Sequence, residues 1–157
     1  MLIHKKAEQI REMANVLLDG GQRNPEYFEN AGLLMQQLAE EFEETLEDDY
    51  PVSISLSGCP AFSGTFDVGE LRRIIDNLIS NVQKYADPHF PVTLTIRLEE
   101  QGLLLSQENR IRSLESSPES YRMGIAGIRR ITHHYDGRIE VYNDENQFRI
   151  TILLSKF

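Results

Sequence analysis

One segment constrains the fold more than any other. From Asp67 to Ala86, apolar residues at Leu71, Ile74, Ile75, Leu78, Val82 and Tyr85 recur at helical spacing and nearly saturate one face. Asp67, with Glu70 three residues on, resembles a capping box with an acidic cap, and Pro88 stops the helix. A helix this apolar on one side must lie on a packed layer. The rest of the chain supplies one. Val52, Ile54 and Leu56 alternate with serines as a half-buried strand. Val92, Leu94, Ile96 and Leu98 alternate likewise, and a turn at Glu100-Gln101-Gly102 leads into a hairpin partner, Leu103–Ser106. Ile139 and Val141, then Phe148, Ile150 and Ile152, form a last hairpin around Asn143–Asn146. Leu33, Leu34, Leu38, Phe42 and Leu46 mark a second long helix with an acidic outer face. Its start is open between a signal at Asn24-Pro25-Glu26 and a short strand over Tyr27–Asn30 that Gly32 leaves room for. Thr65-Phe66 forms a short second arm, and Lys5–Leu18 is a short amphipathic helix stopped by Asp19-Gly20-Gly21. Ile125, Ile128, Ile131 and Tyr135 make a last helix, ended at Asp136-Gly137. Hairpins separated by helices predict an α+β fold, a two-layer α/β sandwich whose mixed, mostly antiparallel sheet is covered by helices on one face. Two units follow: 1–24, an N-terminal helical segment, and 25–157, the main domain.

Composition narrows the function. The chain has 157 residues, enough for a core without metals or disulfides, and its one cysteine, Cys59, cannot form an internal bridge. No apolar run approaches the ~20 residues that cross a bilayer, and Met1–Lys6 lacks a signal-peptide core. The expectation is a cytoplasmic chain that binds neither membrane nor nucleic acid, because the net charge is −9. That charge is uneven: residues 1–50 hold 12 acids and 4 bases, a net of −8. The near-neutral remainder includes Arg110, Arg112, Arg122, Arg129 and Arg130 within one stretch, against Glu115 and Glu119. A small anion could be held there, although a solvated face explains the same cluster.

Two constellations can carry chemistry. Asn77, Asn81 and Lys84 share a stripe bordering the apolar face of the Asp67–Ala86 helix. Asparagine is a poor helix former, and mid-helix capping cannot explain two of them. A carboxamide oxygen can ligate Mg²⁺, and a lysine one turn on can meet phosphate as a point charge. A polar helix edge is the plainer reading of the spacing alone. Gly124-Ile125-Ala126-Gly127 follows the long polar stretch 107–123 and is expected to start a helix, where unpaired N–H groups favour phosphate. By itself this is equally a loop-to-helix joint. His133-His134 lacks metal-ligand spacing and reads as a surface helix end.

The run Phe66–Tyr85, with Asp67, Leu71, Ile74, Ile75, Asn77, Leu78, Ile79, Asn81, Lys84 and Tyr85 in place, resembles the asparagine box of sensor histidine kinases. The order of the following elements and the exit Tyr135-Asp136-Gly137-Arg138-Ile139 are similar as well. The resemblance covers about 27–157 and implies the Bergerat ATP-binding fold, with ATP and Mg²⁺ as ligands. It implies that Asn81 holds Mg²⁺, that Lys84 approaches the phosphates and that Tyr85 lies near the nucleotide. Gly124 and Gly127 would belong to the second glycine box. The partners implied are a histidine-bearing dimerisation domain and a response regulator. Hydrolytic relatives carry a glutamate base where this chain has Asn77, so the match favours phosphoryl transfer to histidine over hydrolysis.

The sequence departs from the family in its glycines. The first box, usually Asp-x-Gly-x-Gly, reads Ser106-Gln107-Glu108-Asn109-Arg110-Ile111-Arg112, and Arg122 stands where the second box has a glycine. Glu108 or Asn109 would stand in for the adenine-binding aspartate, a choice that strand register decides. Adenine recognition is then expected to be loose and salt-sensitive, with Arg110 and Arg112 reaching for phosphate. The same departure fits a nucleotide-poor pseudokinase of this fold. His4, followed by Lys5-Lys6-Ala7-Glu8, does not match the phospho-acceptor pattern. Residues 5–18 would then be the end of a dimerisation helix, with any membrane segment upstream.

Overall fold

The computed structural model describes residues 23–56, 61–112 and 118–157. The expected helix Lys5–Leu18, His4, Cys59, Ser116 and Ser117 lie outside these residues, as does the side chain of Arg122. The order is β1 (Glu26–Phe28), α1 (Ala31–Leu46), β2 (Val52–Ser55), β3 (Gly64–Phe66), α2 (Val68–Tyr85), β4 (Val92–Glu99), β5 (Gly102–Arg110), α3 (Pro118–His134), β6 (Arg138–Asn143) and β7 (Gln147–Leu154). The open choice near Asn24 goes to the strand. β1 pairs antiparallel with β3 in a two-stranded sheet, and Asn30 then caps α1 by accepting from the Gly32 N–H at 3.1 Å.

The main sheet runs β2-β4-β5-β7-β6, with β2 parallel to β4 and every other pair antiparallel. Period-two alternation sends Leu94, Ile96, Leu103, Leu105, Ile150 and Ile152 into the core. There they meet Leu38 and Phe42 of α1, Leu71, Ile74, Ile75 and Leu78 of α2, and Ile128 and Ile131 of α3. The opposite face carries Thr93, Thr95, Arg97, Ser106, Arg149 and Thr151, all exposed or half-buried. The expected two-layer α+β sandwich is what forms.

Gly102 closes the β4–β5 hairpin at φ +144°, and a Cβ there would lie 2.2 Å from the Leu154 carbonyl oxygen. Only glycine combines that backbone with that approach. No helix among the described residues is long and apolar enough to cross a membrane.

Candidate functional site

α2 and α3 cross at the asparagine stripe. Asn77 Nδ2 donates to the Gly124 carbonyl oxygen at 3.3 Å. A Cβ on Gly127 would stand 3.3 Å from Asn77 Nδ2, and one on Gly124 would stand 3.5 Å from Asn81 Oδ1. The two glycines thus let one helix backbone ride closely over the other helix's carboxamides. This corrects the expectation for them: α3 begins at Pro118, so Gly124 and Gly127 sit inside the helix with their N–H groups in its hydrogen-bond ladder, not at its open end.

Asn81 is 4% exposed, and its Nδ2 has no hydrogen-bond partner. Buried amides are almost always paired, and an orphan is costly. A half-turn of the amide presents Oδ1 in the same place. A single carboxamide oxygen suits Mg²⁺, which keeps waters and phosphate oxygens as most of its ligands. Among the described residues no cluster of three His, Cys, Asp or Glu could hold a metal by itself.

The C-terminal end of α2 is stitched to the end of β5. The Arg112 N–H donates to the Tyr85 carbonyl at 2.7 Å, and Arg112 Nη2 donates to the Lys84 carbonyl at 2.8 Å. Ala86 and Ile111 form an isolated bridge beside them. These bonds satisfy carbonyls that a helix end leaves open. Tyr85 is buried here and Lys84 projects into solvent. The Arg112 guanidinium is engaged in capping, and that of Arg110 stacks 4.9 Å from the Phe90 ring centre. Both guanidiniums were expected to reach for phosphate; here each is engaged within the fold instead.

Register decides between the two candidates for the base. Glu108 pairs with Thr93 on β4 and with Arg149 on β7, on the face away from the helices. Asn109, one residue on, faces the helix layer and is 3% exposed. Glu108 is therefore removed from the candidate site. Gln107, which sequence reasoning passed over, shares the inner face with Asn109 and is completely buried. Its Nε2 donates to Asn109 Oδ1 at 3.0 Å, and Asn109 Nδ2 donates to the Arg110 carbonyl at 3.0 Å.

A second polar cluster lies at the opposite end of α2. Asp67 caps the helix, accepting from the Glu70 N–H at 3.2 Å and the Asn24 N–H at 2.9 Å. The reciprocal arm of the expected capping box comes from elsewhere: the Asp67 N–H donates to the Tyr135 hydroxyl at 2.9 Å. Glu70 instead turns inward, 3% exposed, and accepts from Arg23 Nε at 3.0 Å and Nη2 at 2.8 Å. His134 Nδ1 bonds its other oxygen, so His134 is not the bare surface residue expected. The hydrogen bonds that Arg23 donates to Glu70 raise the Arg23 pKa above its ordinary value, and burial pushes the Tyr135 phenol up to about 12. Glu70 was legible only as a cap partner, because Arg23 and His134 lie 47 and 64 residues away in sequence.

No known family's sequence profile matches the chain. Sensor histidine kinase YrkQ of Bacillus subtilis (strain 168) is 28% identical over 83 residues, a stretch that is 53% of this chain and 19% of YrkQ. The chain thus corresponds to about a fifth of that relative. Acinetobacter baumannii histidine kinase AdeS superposes with a TM-score of 0.70 at 17% identity, covering 98% of this chain and 78% of that one. A nucleotide-free catalytic domain of histidine kinase ThkA gives 0.66 at 15% identity, covering 85% of this chain and 97% of that one. The fold is that of the histidine kinase catalytic domains.

Proposed function

We propose that residues 25–157 are the ATP-binding catalytic domain of a two-component sensor histidine kinase, preceded by the end of a linker or dimerisation helix in 1–24. The domain binds ATP with Mg²⁺ and passes the γ-phosphoryl group to a histidine on a separate dimerisation domain, from which a response regulator takes it. The observation that carries this reading is Asn81: a buried carboxamide with an unpaired nitrogen, one turn past Asn77, beneath a glycine-bearing helix. Asn81 Oδ1 would hold Mg²⁺, which when bound supplies charge neutralisation across the triphosphate. Asn77 holds the Gly124 carbonyl and orients α3 over the stripe. With an amide at position 77 there is no carboxylate to draw a proton from water. That favours transfer to a protein histidine over hydrolysis. Tyr85 and Asn109 would lie beside the base, and Lys84, exposed on the last turn of α2, would meet phosphate.

A second reading has a specific observation behind it. α3 runs unbroken through Gly124 and Gly127 and lies directly against Asn77 and Asn81. Such a helix closes the slot in a pseudokinase that acts through protein contacts.

One titration separates them. The chain should bind ATP more tightly with Mg²⁺ than without, and Asn81→Ala should remove the Mg²⁺ dependence while leaving stability within ~1 kcal/mol, since the lost amide was unpaired. Equal Mg²⁺-dependent affinity in parent and variant overturns the site. Absence of ATP binding by the parent selects the pseudokinase. Mixed with a separate histidine-bearing dimerisation domain, the chain should label that domain and remain unlabelled alone. Rapid phosphate release without it would contradict the transfer reading.

A further inference from the structure

The sheet face away from the helices holds a cavity of its own. Cross-strand pairing sets Arg97, Leu104, Leu153 and Arg138 in one row across β4, β5, β7 and β6, and Ser106, Thr151 and Glu140 in the next. The two leucines meet at the centre of their row. The helices pack on the other face, yet Leu153 is only 7% exposed. Around it lies a space of about 160 Å³ whose lining includes Leu104, Leu153, Arg138, Glu140 and Thr151. Pockets for drug-sized ligands run to roughly 300–1,000 Å³, so this one suits a molecule the size of an amino acid. Its charges point the same way. Arg97 and Glu99, two residues apart on β4, close an ion pair at 2.7 Å. Arg138 and Glu140 have the same spacing on one face of β6, about 6.6 Å from Cα to Cα. Arg97 and Glu99 show that this spacing permits a pair. Arg138 and Glu140 nevertheless stand apart, and neither has a side-chain partner among the described residues. Both line the cavity. A ligand that carries both charges on neighbouring atoms completes them, with apolar ground between.

We propose that this cavity binds a free α-amino acid with an aliphatic side chain. The Arg138 guanidinium donates to the α-carboxylate, for which its planar fork is suited. The Glu140 carboxylate accepts from the α-ammonium, with the Thr151 hydroxyl as a second acceptor. The side chain lies on Leu104 and Leu153 and takes their exposed surface out of water. Asn77, Asn81 and α3 are on the other side of the sheet, so this site stands apart from the nucleotide reading.

The test titrates the isotope-labelled 157-residue chain with L-leucine and follows its backbone amides by nuclear magnetic resonance. The amides of Leu104, Arg138, Glu140, Thr151 and Leu153 should move together and saturate with a Kd on the order of millimolar, as suits a ligand of few atoms at an open site. Isoamylamine lacks the carboxylate and 4-methylpentanoate lacks the ammonium. Each should bind about tenfold more weakly, having lost one charge-assisted contact. Arg138→Gln and Glu140→Gln should each weaken leucine about tenfold. Both side chains are exposed, so neither variant should move the thermal midpoint. Arg138→Gln should leave isoamylamine binding unchanged, and Glu140→Gln should leave 4-methylpentanoate binding unchanged. A general effect of surface charge would not sort the analogues in that way. The proposal is overturned by the absence of saturable shifts with leucine, by analogues that bind as well as leucine, or by undiminished leucine affinity in both variants. None of these results depends on whether the chain binds ATP.

Discussion

Glu70→Ala should be strongly destabilising. The carboxylate is 3% exposed and accepts from Arg23 Nε, Arg23 Nη2 and His134 Nδ1, with the Tyr135 hydroxyl 3.4 Å away. It also lies in the first turn of α2, where a negative charge meets the helix dipole for about 0.3–1 kcal/mol. Removing one partner of a fully buried ion pair costs roughly 3–5 kcal/mol. This pair is not fully buried on its cationic side. The Arg23 side chain is 29% exposed and His134 25%, so both can turn to water. Tyr135 keeps its bond from the Asp67 N–H. The expected loss is therefore about 3 kcal/mol, at the low end of that range. Glu70→Gln keeps the length and one acceptor for Arg23, and should cost about 1 kcal/mol. Urea unfolding followed by circular dichroism reads the change as a lower midpoint with an unaltered slope. In a double-mutant cycle, Arg23→Ala should cost markedly less in the Glu70→Ala background than in the parent. A Glu70→Ala variant within about 0.5 kcal/mol of the parent would refute the reasoning, because a buried, charge-assisted cluster cannot be removed so cheaply.

Other substitutions probe other levels of the argument. Gly127→Ala gains about 0.5–1 kcal/mol of helix propensity but puts a methyl 3.3 Å from Asn77 Nδ2; stability should be unchanged or slightly higher while nucleotide affinity falls, as calorimetry would read. Gly102→Ala should cost ~2 kcal/mol or more in urea unfolding, since its Cβ would meet the Leu154 carbonyl at 2.2 Å on a backbone of φ +144°. Tyr135 should titrate well above the ordinary tyrosine range in ultraviolet absorbance. Its folded pKa of about 12 lies above the ordinary 10.0. It therefore stabilises the fold fully below pH 10.0 and loses that contribution as pH rises through about 12, and Tyr135→Phe should flatten this alkaline decline.

The elements themselves were legible because each is a periodic pattern in one stretch of chain. The 3.6-residue repeat of Leu71, Ile74, Ile75, Leu78 and Val82 and the alternation of Val92, Leu94 and Ile96 require only neighbours to be read. The asparagine stripe was legible for the same reason, since Asn77 and Asn81 share a face on any helix. Register, helix extent and cross-chain pairing were not. Glu108 and Asn109 differ by one residue, and only the pairing of β5 with β4 and β7 turns Asn109 and Gln107 inward. Gly124 and Gly127 looked like the start of a helix. Only their packing on α2 shows that they serve close approach rather than open N–H groups. Glu70 was read as half of a local cap, yet Tyr135 completes the cap and Arg23 and His134 claim the carboxylate. Local periodicity is written in adjacent residues, so the sequence by itself determined the helices, the strands and the face each one buries. Which distant groups meet depends on how those faces close on one another, and tertiary structure alone decided it.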